Sequence, residues 1–272
     1  MKNRFSVVFL GTGHANATEC FNSCFAITQD KNVFLVDSGG GNGILKQLKE
    51  SKINLESIRT IFISHKHLDH ILGVIWIIRV LSKKYFKNEI SSPLYIYGND
   101  IVIHTIHSLI DIFLPDDFKS IINSKIILKI VKNHDETIVL NRKIKFFDLH
   151  AKKTSQYGFV FEYEKNKNFC FIGDEAYSQK SMEYVNNCEY LCADAYMCGE
   201  EAERYNPIEK HHHSTVKYIS NIAEQLNIKN LILLHTIDNN LSNRKKEFTK
   251  DAKLYYNGNI IVPDDLETIC LK

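Results

Sequence analysis

The chain has 272 residues, of which only 4 are proline, 3 are methionine and 1 is tryptophan. No repeat, low-complexity tract or Pro/Ser-rich linker breaks it, so a single domain over residues 1–272 is expected. No apolar run approaches the roughly 20 residues that cross a bilayer, which argues against a membrane protein. Charge is almost balanced, with 34 basic and 32 acidic side chains and a net charge of +2. That does not point to a strong general affinity for nucleic acid and leaves a local basic patch open. The N-terminus, Met1-Lys2-Asn3-Arg4, runs straight into a strand-like segment without a signal-peptide pattern, and a cytoplasmic protein is expected. The 7 cysteines are odd in number and scattered, with no CxxC pair. They read as free thiols in a reducing compartment rather than a disulfide framework. Cys20 and Cys24, like Cys188 and Cys192, are spaced i, i+4 without a second pair to complete a zinc site.

What the chain does have is histidine in a pattern. Ile61-Phe62-Ile63-Ser64-His65-Lys66-His67-Leu68-Asp69-His70 packs three histidines and an aspartate into six positions. An apolar, β-branched run (Ile58 to Ile63) precedes them and reads as a buried strand. A second apolar run (Ile71 to Leu81) follows and reads as a helix. The polar residues therefore lie on a strand-to-helix turn. There His65 and His67 can reach one point, and Asp69 and His70 another. Imidazole and carboxylate suit borderline divalent metals such as zinc, and two nearby metals need more ligands than these four. The remainder should come from the ends of other strands.

Taken in order, Phe5 to Leu10, Cys20 to Thr28 and Val33 to Val36 read as strands, the last two as a hairpin. Gly11-Thr12-Gly13 is a tight loop that lacks the full glycine fingerprint of a dinucleotide site. Asp37-Ser38-Gly39-Gly40-Gly41 breaks the sheet before a short amphipathic helix. Asp37 can orient a ligand from behind or simply end its strand. Pro93 to Tyr97 is a strand, and Asn99 can cap a helix from Ile101 to Phe113. His104 and His107 share a face of that helix and read as a surface pair. From Lys125 onward the period changes to two, giving successive strands of a second sheet: Lys125 to Val131, Arg142 to Leu149, Tyr157 to Tyr163 and Phe169 to Ile172. His150 and Asp174 each follow one of these strands. Leu191 to Ala195 is a further strand candidate. An internal triplet, His211-His212-His213, precedes Ser214 and Thr215, either of which can cap the helix beginning at Val216. Leu231 to Leu234 is a buried strand that ends in His235. Arg244-Lys245-Lys246 opens a charged helix with a solvated face. Asn259 to Val262 and Glu267 to Leu271 read as closing strands. Two face-to-face sheets with helices outside are the natural layering.

The His65-x-His67-x-Asp69-His70 turn, with His150, Gly173-Asp174 and His235 following in that order, resembles the signature of the metallo-β-lactamase superfamily. Phe9-Leu10-Gly11-Thr12-Gly13, Phe34 to Gly39 and His213-Ser214-Thr215 are similar to its ribonuclease Z branch. The resemblance implies an α/β fold, the four-layer αββα metallo-β-lactamase sandwich. It implies that His65, His67 and His150 bind one zinc, that Asp69, His70 and His235 bind the other, and that Asp174 bridges both; manganese or iron would suit the same donors. It favours a dinuclear hydrolase of the phosphodiesterase kind. In such a site a bridging hydroxide is the expected nucleophile, Asp69, beside it, can accept its proton, and His213 is the candidate to protonate or stabilise the leaving oxygen.

Two departures bear on the substrate. Residues 151–173 leave room for a hairpin where the branch carries a tRNA-clamping arm. His14-Ala15-Asn16-Ala17-Thr18 replaces the branch's Pro and Arg-Asn elements. A phosphodiesterase on small or flexible esters is therefore expected. The alternatives are a tRNA- or RNA-processing endonuclease, a carbonyl-ester or lactone hydrolase, and a metal-binding sensor or scaffold without hydrolysis. A homodimer is expected, as in relatives.

Overall fold

The computed structural model describes residues 4–204 and 213–272; His211 and His212 lie outside the described residues. By its contacts the chain divides into two compact units. One comprises Met1–Gly11, Asn22–Val131 and Leu266–Lys272, the other Thr12–Phe21 and Lys132–Asp265.

The first unit starts with β1 (Phe5–Gly11), β2 (Cys24–Gln29) and β3 (Asn32–Val36), paired antiparallel in sequence. Helix α1 (Gly43–Glu50) then leads to β4 (Ile58–Phe62), and α2 (Leu68–Phe86) to β5 (Leu94–Gly98). Helix α3 (Asp100–Phe113) and the short α4 (Asp116–Lys119) precede β6 (Ile126–Ile130). The sheet runs β14-β1-β2-β3-β4-β5-β6, where β14 (Thr268–Cys270) is the last strand of the chain. Strands β3 to β6 are parallel, because each connection between them carries a helix that returns the chain to the same end. In α2 the residues Ile71, Val74, Ile75, Ile78 and Leu81 recur at helical spacing and are buried. Asn99 caps α3 as expected, its side chain accepting from Val102 N at 2.9 Å.

The second unit has β7 (Glu136–Val139), β8 (Arg142–Asp148), β9 (Tyr157–Glu164) and β10 (Lys167–Phe171) as an antiparallel series. Past the short α5 (Met182–Val185), β11 (Tyr190–Asp194) joins it in parallel; α6 (Gly199–Glu203), α7 (Val216–Gln225) and β12 (Asn230–Leu234) follow. Helix α8 (Leu241–Ala252) returns the chain to β13 (Asn259–Ile261). The order is β13-β12-β11-β10-β9-β8-β7.

Three expectations are corrected. The 125–131 strand belongs to the first sheet, not the second: β6 pairs in parallel with β5, from Leu94↔Ile126 to Gly98↔Ile130. It is an edge strand whose burial falls from Ile126 to the exposed Lys129 and Ile130, so it lacks the continuous apolar run of a buried parallel strand. Strand β7 was not anticipated; it closes onto β8 through Leu140 and Asn141, both at positive φ (49° and 58°), as a two-residue hairpin turn requires. Helix α8 starts at Leu241, before the basic run, and Arg244 is only 2% exposed. Its guanidinium donates to Thr12 Oγ1 (2.9 Å), Thr236 Oγ1 (3.0 Å) and the Pro263 carbonyl (2.8 Å). A charged group with that many acceptors is a buried tie, not a solvated face.

Candidate metal centre

In the first unit, buried β4 delivers the chain to the turn before α2, and the end of β3 lies beside it. Asp37 follows β3 at φ 55° and is 2% exposed. Its carboxylate accepts from Ser64 N (2.7 Å) and Ser64 Oγ (2.9 Å) and contacts His70 Nδ1 (2.8 Å). Nδ1 held in this way carries the ring proton, which leaves Nε2 as the donor atom of His70. Asp69 Oδ2 lies 3.1 Å from that Nε2. The ring of His65 is 4.4 Å from that of His67 and 4.2 Å from that of His70, centroid to centroid. His65, Asp69 and His70 are buried, and His67 is exposed. Ser38 draws the loop after β3 onto α2, donating from N and Oγ to the His70 carbonyl, each at 2.8 Å.

The second unit repeats the arrangement with other residues. Asp194 ends β11 and is 1% exposed. Its Oδ1 contacts His235 Nδ1 at 3.2 Å, and its Oδ2 accepts from Ser214 N at 2.6 Å and lies 3.4 Å from His213 Nδ1. Asp174, His213 and His235 each offer a ligand atom within 4.8 Å of the others, with Asp174 Oδ2 3.6 Å from His235 Nε2. Burial disfavours charge on His213, and the Asp194 carboxylate more than offsets it, so its pKa rises above the ordinary imidazole value. Beside this group, burial and then the Asp174 carboxylate push the Glu175 carboxyl up to about 7.

His150 stands apart. Its side chain is exposed, its Nδ1 lies 3.7 Å from Asp148 Oδ2, and it is not in the group formed by Asp174, His213 and His235. It shares one feature with Asp37 and His235: all three sit at strand ends with positive φ, at 56°, 55° and 58°. Non-glycine residues in that region cluster where function imposes the backbone. Among the described residues His104 and His107 belong to no metal-type group. Sequence reasoning assigned no role to Asp194. The signal was present, because an acid ending the apolar Leu191-Cys192-Ala193 run matches the pattern that singled out Asp174.

The donor set fits a divalent metal. Each unit presents imidazoles and carboxylates together, and in each a buried carboxylate fixes the Nδ1 of a histidine, the usual backing of a metal-binding ring.

The sequence profile of a family described as anti-Pycsar protein Apyc1 matches residues 5–258. The chain belongs to this family. Among curated relatives it is similar to ribonuclease Z of Methanococcus aeolicus, with 36% identity over 46% of this chain and 38% of that protein, so it spans well under half of that relative. It is also similar to ribonuclease Z of Picrophilus torridus, 25% identical over 86% of each chain. Among solved structures, the metallo-β-lactamase fold protein YhfI of Bacillus subtilis superimposes with a TM-score of 0.81 at 15% identity, over 98% of this chain and 100% of that one. A diphosphatase of the PhnP family gives 0.72 at 19% identity, over 98% and 97%. The fold is the α/β metallo-β-lactamase sandwich, and the expected resemblance to ribonuclease Z is borne out.

Proposed function

We propose that this Apyc1-family chain is a metal-dependent hydrolase of phosphodiester bonds. The observation that carries the reading is the paired backing of imidazoles by buried acids, Asp37 behind His70 and Asp194 behind His235. Such pairs hold the rings in the tautomer a metal needs, and a catalytic metal gains from that orientation. The proposed ligand set takes His65, His67, Asp69 and His70 with His150, Asp174 and His235, as the superfamily resemblance implies. Zinc is the expected ion by ligand type. Two such ions, when bound, would supply an activated water and offset charge on the phosphoryl oxygens.

The residues of the chain do the rest. Asp69, in the first turn of α2, accepts the proton of the attacking water. His213, with Nδ1 turned to Asp194, presents Nε2 to the leaving oxygen and donates a proton there. Its raised pKa suits an acid, since a larger share of the ring is protonated near neutral pH.

A small or flexible ester is the favoured substrate. The β9–β10 hairpin occupies residues 157–171, which supports this reading. The names of the ribonuclease Z relatives favour RNA as the second reading. Strongly salt-dependent tRNA binding would support that reading. Within 125–153, Lys143 pairs with Glu136, and Lys145 lies over the Tyr184 ring.

His213→Ala is the test. Turnover of a dinucleotide phosphodiester, whose alkoxide leaving group needs a proton, should fall about 10²–10⁴-fold, the usual contribution of a positioned acid, with metal content unchanged. Loss of metal instead would make His213 a ligand or a structural residue and contradict its assigned role.

A further inference from the structure

His213 is gripped at its edge by Asp194, but that contact alone, at 3.4 Å, leaves the ring able to tip. Its two stacking partners supply the missing restraint. His235 stacks on it with centroids 5.2 Å apart and planes at 19°. Tyr196 stacks on it too, also at 5.2 Å, with planes at 22°. His14 meets Tyr196 edge-on, at 5.3 Å and 83°. The backbone explains why Tyr196 is in register with both histidines. Its N–H donates to the Ser214 carbonyl (2.9 Å), and its carbonyl accepts from Ile237 N (2.9 Å). A Met197↔Thr215 bridge and the Val216 N to Met197 carbonyl bond (3.0 Å) extend this ladder by one residue. The chain just past β11 is thus pinned between the segments that follow His213 and His235. The His14 loop is pinned to the same place, since His14 N donates to the Thr236 carbonyl at 3.2 Å and Gly13 bridges Thr236.

We propose that Tyr196 is a positioning residue that fixes the plane of the His213 ring by stacking, with His14 bracing it from the far side. The inference rests on the role given to His213 above. An aromatic face stacks on imidazole with a geometric preference that an aliphatic side chain of similar bulk lacks. Positioning of this kind acts on the chemical step rather than on substrate affinity.

The test compares Tyr196→Phe and Tyr196→Leu with wild type in the full chain. Two readouts are used: turnover of a dinucleotide phosphodiester, whose alkoxide leaving group needs a proton, by the metal-loaded protein, and 13C-edited NMR of the histidine rings, with His213 assigned from His213→Gln. Tyr196→Leu should lower kcat about tenfold or more with KM and metal content little changed, since a misplaced catalytic group is costly to rate. Its His213 ring signals should lose their aromatic ring-current shift and broaden. Tyr196→Phe should keep both kcat and the NMR signature near wild type. Wild-type kcat in Tyr196→Leu, or an unchanged His213 spectrum, would overturn the inference. So would a Tyr196→Phe variant as impaired as Tyr196→Leu, because the hydroxyl and not the ring would then be the active part. If wild type itself shows no turnover, the hydrolase reading fails, and the NMR comparison alone still decides whether Tyr196 orders the ring.

Discussion

Asp37 organises the first group of candidate metal ligands. One carboxylate holds the Nδ1 edge of His70 and both donors of Ser64, so the strand end and the helix start share an anchor. Asp37→Asn keeps the shape but exchanges a charged acceptor for a neutral amide, which binds the imidazole N–H less firmly. Metal affinity should fall about 10–100-fold, measured by competition with a chromophoric chelator. An unchanged affinity would mean that His70 is oriented without it. At this scale the sequence spoke through position. Histidines and acids at the ends of apolar runs pointed to His65, His67, Asp69, His70, Asp174 and His235, whose side chains the fold gathers within their units. What it did not disclose was pairing. Asp194 and Tyr196 act through partners tens of residues away in sequence, and nothing local in their runs names those partners.

Among the elements, α2 carries the most. It must approach the loop after β3 closely enough for Gly73 N to donate to the Gly39 carbonyl at 2.9 Å. A Cβ on Gly73 would lie 1.8 Å from the Ser38 carbonyl oxygen, so no side chain fits there without moving the loop that places Asp37. Gly73→Ala should destabilise the fold by about 1–3 kcal/mol, the usual cost of overpacking, as read from urea unfolding. Gly41→Ala is the matched control: its Cβ would meet nothing within 4 Å, and stability should stay within about 0.5 kcal/mol. Equal effects of the two substitutions would contradict this account of the close approach. The elements themselves were largely legible, because burial imposes its period on the sequence. The failures were at the sheet edges. Strand β6, half exposed, imitated a member of the other sheet, and β7, four residues long with only Val139 buried and Ile138 at 65% exposure, was too short to show a period. The run at Arg244 misled for the opposite reason, since three adjacent charges suggest solvent until the acceptors around the first of them are known.

For the whole molecule, the match over residues 5–258 takes in most of both compact units, and each unit carries its own imidazole–carboxylate group. A sensor or scaffold would bind metal without turnover. The decisive measurement is metal content by elemental analysis after loading, with bis(p-nitrophenyl) phosphate turnover assayed on the same sample and on His67→Ala. The account predicts about two ions per chain and turnover that disappears with chelator and in the variant, as a two-metal hydrolase requires. A chain that takes up no metal after loading would contradict it.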